Sequence, residues 1–119
     1  MQPNPDHPIR VVPHPARLRV LWNGKIIADT INALMLYEAS YPGVRYIPRT
    51  DVDMTLLRLA ALKTRCPYKG EASYFSLSSG GKTAENAIWS YETPFPVAAE
   101  IAGYLAFDPE QIEFVENNV

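Results

Sequence analysis

The residues best equipped for chemistry fall in three short stretches. "T-R-C-P-Y-K-G", from Thr64 to Gly70, holds Cys66, the single cysteine, between the cations Arg65 and Lys69. A cysteine attacks as its thiolate, so a nucleophilic Cys66 needs a cation or a base beside it and a route to solvent. The plainer reading is a shielded cysteine that packs as a small hydrophobe at the start of a hairpin. Pro67 restricts Cys66 to an extended backbone and Gly70 permits a tight entry into the next strand. Lys69, a flexible cation at the mouth of that strand, suits an anionic ligand, with a solvated surface lysine as its plain alternative. Asp51 and Asp53 form a D-x-D pair, a spacing that can hold magnesium during phosphoryl or nucleotidyl transfer. At a helix start the two acids would stand about 200° apart around the axis, so a capping Asp51 beside a solvated Asp53 is the simpler assignment. "S-L-S-S-G-G-K-T" imitates a phosphate loop, but Ser76 stands where the first glycine belongs and the residues that follow are strand formers.

Composition narrows the classes. A chain of 119 residues buries roughly 65% of its unfolded surface as one domain. Hydrophobic residues make up 47% and charged residues 20%, values of an ordinary globular protein. A net charge of -2 with interspersed signs leaves no basic stripe for nucleic acid. No apolar run reaches the roughly 20 residues of a membrane span, and Met1 to Pro15 lacks the apolar middle of a signal peptide, so a cytoplasmic location without a membrane partner is expected. One cysteine forms no intrachain disulfide, and with His7 and His14 it makes no metal-ligand set; neither a metal nor another cofactor is expected.

The elements that would position these residues are mostly strands. The leader, residues 1–15, has prolines at 3, 5, 8, 13 and 15 and reads as extended or disordered, with "I-R-V-V" as its one strand candidate; residues 16–119 read as a single β domain. "R-L-R-V-L-W-N-G-K-I-I-A-D" is a hairpin, because Asn23-Gly24 suits the positive φ angles of a two-residue turn. Strands are expected at Ala33 to Glu38 and in "V-R-Y-I-P-R", which ends at Pro48. "D-V-D-M-T-L-L-R-L-A-A-L" is the best helical stretch, one to three turns capped by Thr50 or Asp51. "E-A-S-Y-F-S-L" and "N-A-I-W-S-Y-E" form a second hairpin across Ser78 to Lys82. A helical turn over Val97 to Ala102 and the strands "Y-L-A-F" and "I-E-F-V" complete the chain. Trp22, Tyr46, Tyr74, Trp89 and Tyr91 lie on these strands, mostly as core, with polar tips that seek partners.

"Y-E-A-S-Y-P-G-V-R-Y-I-P-R-T-D-V", "T-R-C-P-Y-K-G-E-A-S-Y" and "A-I-W-S-Y-E-T-P" together resemble the domain-of-unknown-function 427 family, over about Arg17 to Val115. The resemblance implies a compact, mainly β domain, similar to β-tent folds. Together with the Asn-Gly and Gly-Gly hairpins it predicts two coiled antiparallel sheets with one or two short helices. The zinc-binding cysteine pairs of β-tent relatives are absent here, so neither that metal nor reductase chemistry carries over. The family also bears a nucleotidyltransferase label. Its motif positions map to Glu38, Tyr46, Pro48, Arg49, Asp51, Thr64, Cys66, Pro67, Lys69, Gly70, Tyr74, Trp89 and Tyr91. Of these, Pro48, Pro67 and Gly70 shape the backbone, whereas Glu38, Arg49, Asp51, Thr64 and Lys69 are polar groups that a packed core does not require.

Two functions fit this reading. One is a small-molecule binding domain, open to catalysis, with a pocket of Glu38, Arg49, Lys69, Tyr46 and Trp89 for an anionic or nucleotide-like ligand; Asp51, Thr64, Tyr74 and Tyr91 are further candidates, and Lys69 should lie within reach of Glu38 or Asp51. The other is a non-catalytic interaction or homodimerisation domain, since open β architectures leave edges that must be covered.

Overall fold

A computed structural model describes residues 7–117. The strands are β1 (Ile9–His14), β2 (Arg17–Trp22), β3 (Lys25–Thr30), β4 (Ala33–Glu38), β5 (Val44–Tyr46), β6 (Leu57–Cys66), β7 (Gly70–Ser79), β8 (Lys82–Ser90), β9 (Ala106–Phe107) and β10 (Glu113–Asn117). The chain is mainly β. Among the described residues these strands form three antiparallel sheets, ordered β1-β4-β5, β10-β2-β3 and β6-β7-β8-β9, where two sheets were expected. The division follows from pairing partners far apart in sequence: β1 aligns with β4 and β10 with β2, so the first half of the chain splits between two sheets. Ile9–His14 includes the "I-R-V-V" stretch; Met1 to Asp6 lie outside the described residues.

Local chemistry accounts for both tight hairpins. Asn23 and Gly24 have φ of 51° and 75°, and Gly80 and Gly81 have 59° and 78°, the left-handed pairs that match the twist of the flanking strands. The two tips meet, because Asn23 Nδ2 donates to the Ser79 carbonyl at 3.2 Å.

The helix expected from Asp51 onward is not formed. Arg49–Asp51 and Met54–Leu56 are isolated 3-10 turns, and Leu57–Cys66 is β6. Long-range pairing outweighs local helix propensity here. The Asp53 amide donates to the Ile27 carbonyl at 2.8 Å, Val52 bridges Ala28, and Leu57 aligns with Leu77 on β7. The cap is Asp53, whose carboxylate accepts from the Thr55 amide at 3.1 Å, and not Asp51 or Thr50. The leucines of the supposed helix then divide: Leu56 and Leu57 pack on the core, while Leu59 is 66% exposed beside a register shift in β6. The helical turn predicted near Val97 is the 3-10 segment Pro96–Ile101.

Two apolar clusters flank the four-stranded sheet, and strand alternation sorts residues between them. Leu77, Ile88 and Phe107 belong to the cluster that includes Leu18, Val20 and Ile27 of β2 and β3. Their neighbours on the opposite face, Ala72, Tyr74, Trp89 and Ala106, belong to the cluster that includes Leu36 of β4, Tyr46 of β5, Tyr91 and Ile101.

The stretch around Cys66 is the turn between β6 and β7. Cys66 aligns with Gly70, which has φ of 115°, and the Lys69 carbonyl accepts from the Phe95 amide at 2.9 Å. A Cβ at position 70 would lie 3.6 Å from Pro94 Cα, so space is available and the constraint is the backbone. Gly70→Ala is therefore expected to lower stability by about 1–3 kcal/mol, read by urea unfolding with an unchanged m value.

Candidate functional site

Strands β1 and β4 to β9 all contribute to the second apolar cluster, and their convergence brings most of the candidate residues together. Glu38 ends β4, where it aligns with Ile9 of β1, and Lys69 occupies the β6–β7 turn. Lys69 Nζ donates to Glu38 Oε1, and the side chains are only 13% and 15% exposed. The second carboxylate oxygen, Oε2, accepts from His7 Nε2 at 2.6 Å. Lys69 Nζ also lies 5.6 Å from the centre of the Tyr91 ring, a cation over an aromatic face. Lys69 is thus a shielded, paired cation and not the solvated surface lysine of the plain alternative; Asp51, its other expected partner, bonds elsewhere.

A second chain of contacts runs through the aromatic residues. Trp89 Nε1 donates to the Tyr46 hydroxyl at 3.4 Å. Tyr74 and Trp89 are register partners on β7 and β8, with ring centroids 6.5 Å apart at 39°. The Tyr74 hydroxyl is 3.0 Å from Thr64 Oγ1 on the exposed edge strand β6. Cys66, half-buried, packs against the same cluster.

The electrostatics set out what these groups can do. Burial pushes the Tyr46 hydroxyl up to about 12 and the Tyr91 hydroxyl higher still, so both stay protonated and act as hydrogen-bonding groups. Burial also opposes ionisation of Glu38, but hydrogen bonds from Lys69 and His7 outweigh it and hold that carboxyl below its ordinary range. The Lys69–Glu38 pair is thus set among neutral aromatic rings and hydroxyls. Such an ensemble recognises by stacking and hydrogen bonds more readily than by charge.

Arg49 and Asp51 are positioned apart from it. The Arg49 guanidinium donates to the Gly103 carbonyl at 3.2 Å and to Ser90 Oγ at 3.3 Å, and it pairs with Glu92. It lies 5.6 Å from the Phe75 ring centre. Ser90 and Phe75 alternate with Trp89 and Tyr74, so Arg49 belongs to the opposite face of the sheet from the Lys69–Glu38 pair. There it borders an open cleft of about 320 Å³. Asp51 accepts from Thr30 Oγ1 at 2.7 Å, and Thr30 Oγ1 in turn accepts from the Asn32 amide at 2.9 Å, which fixes the β3–β4 turn. Asp51 and Asp53 have separate partners, and among the described residues no three or more His, Cys, Asp or Glu side chains gather as a metal site.

His7 and Tyr68 complete the site, and neither is among the ligand-binding candidates named from the sequence. The His7 ring stacks on Tyr68 with centroids 3.7 Å apart at 10°. In the sequence His7 falls in the proline-rich leader. The available signal was the position of Tyr68 beside Lys69; that of His7 appears only once β1 is paired with β4.

A family model described as a domain of unknown function (DUF427) matches residues 10–118. No curated protein matches the chain. Among the described residues no helix is long and apolar enough to cross a membrane.

Because the folded Glu38 carboxyl ionises more readily than its ordinary value of 4.5, it contributes stability above that value, and the contribution is lost as pH falls through the depressed folded value. Urea unfolding at pH 7 and at pH 3 should therefore show a larger acid-induced loss in the wild type than in Glu38→Gln. Equal losses would remove Glu38 from the acid-sensitive groups.

Proposed function

We propose that this chain, which belongs to the family of the domain of unknown function DUF427, is a small-molecule-binding domain whose ligand is a planar, polar, nucleobase-like ring held at the aromatic cluster beside Lys69 and Glu38. The observation that carries this reading is the nearly buried Lys69–Glu38 pair among Tyr46, Tyr74, Trp89 and Tyr91. An apolar packing solution of equal volume is usually as stable as a buried ion pair or more so, and a pair kept there supports a recognition role. The pair offers an acceptor and a donor side by side, which suits a ring edge carrying both.

The balance of charge refines the expectation drawn from the sequence. An anionic group approaching Lys69 also meets Glu38, so phosphate contributes little and the ring contributes most. Arg49, on the other face of the sheet, is not a ligand group in this reading. Nucleotidyl transfer draws on carboxylates that share metal ions. Asp51 accepts from the Thr30 hydroxyl and Asp53 from the Thr55 amide, so the two carboxylates are committed to separate partners, which supports binding over transfer.

A second reading has its own observation. The long strand β6 forms an edge of the four-stranded sheet and exposes Leu59 at 66% and Leu62 at 42%. Such an edge accepts another strand, from a second copy or another protein.

Thermal unfolding against free bases, nucleosides, nucleotides and inorganic phosphate separates the two. Bases and nucleosides should raise the midpoint as much as nucleotides do, by about 10 °C at about 100 times Kd, with no shift from phosphate alone. Trp89→Phe, which keeps an aromatic face but shrinks it and removes the donor to Tyr46, should weaken the shift. Absence of any ring-dependent shift, together with a dimer in solution that Leu59→Lys disperses, would replace the binding reading with the interaction reading.

A further inference from the structure

The contacts of His7 describe what the site recognises. Its imidazole is a planar nitrogen heterocycle, stacked on Tyr68 at 3.7 Å and 10° and tilted against Tyr41 at 6.4 Å and 55°. A carboxylate only accepts, so the ring N–H donates to Glu38 Oε2, at 2.6 Å, while the other carboxylate oxygen is held by Lys69. The His7 and Glu38 side chains are each 15% exposed, so the ring is enclosed rather than resting on the surface. An aromatic face on one side, a fixed acceptor at the edge and a cation that fixes the acceptor are the parts of a ring-recognition slot.

We infer that His7 is an intramolecular occupant of this slot, and that the slot takes free planar heterocycles whose ring N–H donates to Glu38. The inference rests on the binding reading above and adds to it the edge chemistry of the ligand and a built-in competitor. The attachment suits displacement. His7 lies just ahead of β1, and the neighbouring backbone is held by the Ala39 amide donating to the Pro8 carbonyl at 2.8 Å and by the alignment of Ile9 with Glu38. These bonds belong to the backbone of residues 8 and 9, so the imidazole can leave the slot while β1 stays paired. A ring tethered this closely competes at an effective concentration of millimolar or above, and a ligand is bound only in the fraction of molecules whose slot is open.

The test uses the full chain and its His7→Ala variant at pH 8. Imidazole at about 10 mM, comparable to the tethered concentration, should raise the unfolding midpoint of His7→Ala and leave the wild type unmoved. The rescue should vanish in a His7→Ala, Glu38→Gln double variant. Adenine, a planar base with a ring N–H, should bind His7→Ala about tenfold more tightly than the wild type by calorimetric titration. Equal binding of adenine by both proteins would overturn the role of His7 as occupant and leave the binding reading intact. No response of a folded His7→Ala, checked by circular dichroism, to imidazole, adenine or any other ring of the panel would overturn both.

Discussion

In the four-stranded sheet β6-β7-β8-β9 the strands β7, β8 and β9 contribute to apolar clusters on both faces, and the alternation of side chains along them governs nearly everything else in the molecule. Consecutive residues such as Ile88 and Trp89, or Ala106 and Phe107, go to different apolar clusters, each roofed by a different outer sheet. A one-residue slip in the β7–β8 register would exchange the faces and put Tyr74 and Trp89 into the packing beneath β2 and β3. The register is held by the Gly80–Gly81 turn and by a bulge at Asn86, where φ is 54° and the amide donates to Ser76 Oγ at 2.9 Å. The site is thus specified first by backbone geometry and only then by its polar groups.

That same alternation separates two sets of polar residues with different tasks. On one face, Arg49 bonds to Gly103, Ser90 and Glu92 and ties the turn after β5 to the segments after β8, a stapling role filled by its planar fork of donors. On the other face, Glu38 and Lys69 neutralise each other beside hydroxyls that burial keeps protonated. Neither set combines a base with an exposed nucleophile, and Cys66, half-buried against the second cluster, sits at the rim of the latter set without a hydrogen-bonded base among the described residues.

Much of this was legible in the sequence where the determinant is local. Asn23-Gly24 and Gly80-Gly81 mark their hairpins through backbone conformations that few other residues adopt. The family resemblance groups Glu38, Tyr46, Arg49, Asp51, Thr64, Lys69, Tyr74, Trp89 and Tyr91, and all but Arg49 and Asp51 share one region. What was not legible depends on pairing between distant segments. The residues after Asp51 carry good helix formers, yet tethers to β3 and β7 draw them into turns and a strand. Arg49 was grouped with Lys69 because no local pattern tells which face of an unseen neighbouring strand it will meet. Nothing local links His7 to Glu38, since the distance between them closes only when β1 pairs with β4.

The pairing of β10 with β2 also orders events in time. Glu113 aligns with Leu21 and Asn117 with Arg17, so one outer sheet is closed by segments from opposite ends of the domain. The entropy of closing so large a loop is recovered only after the intervening strands have collapsed, whereas the β2–β3 and β7–β8 hairpins need no such closure. Folding of this kind runs from local hairpins to a late docking of β10, which places the molecule among the slow-folding β proteins. Until that docking, the side of β2 that β10 will cover is an open edge on which another unfinished chain can settle.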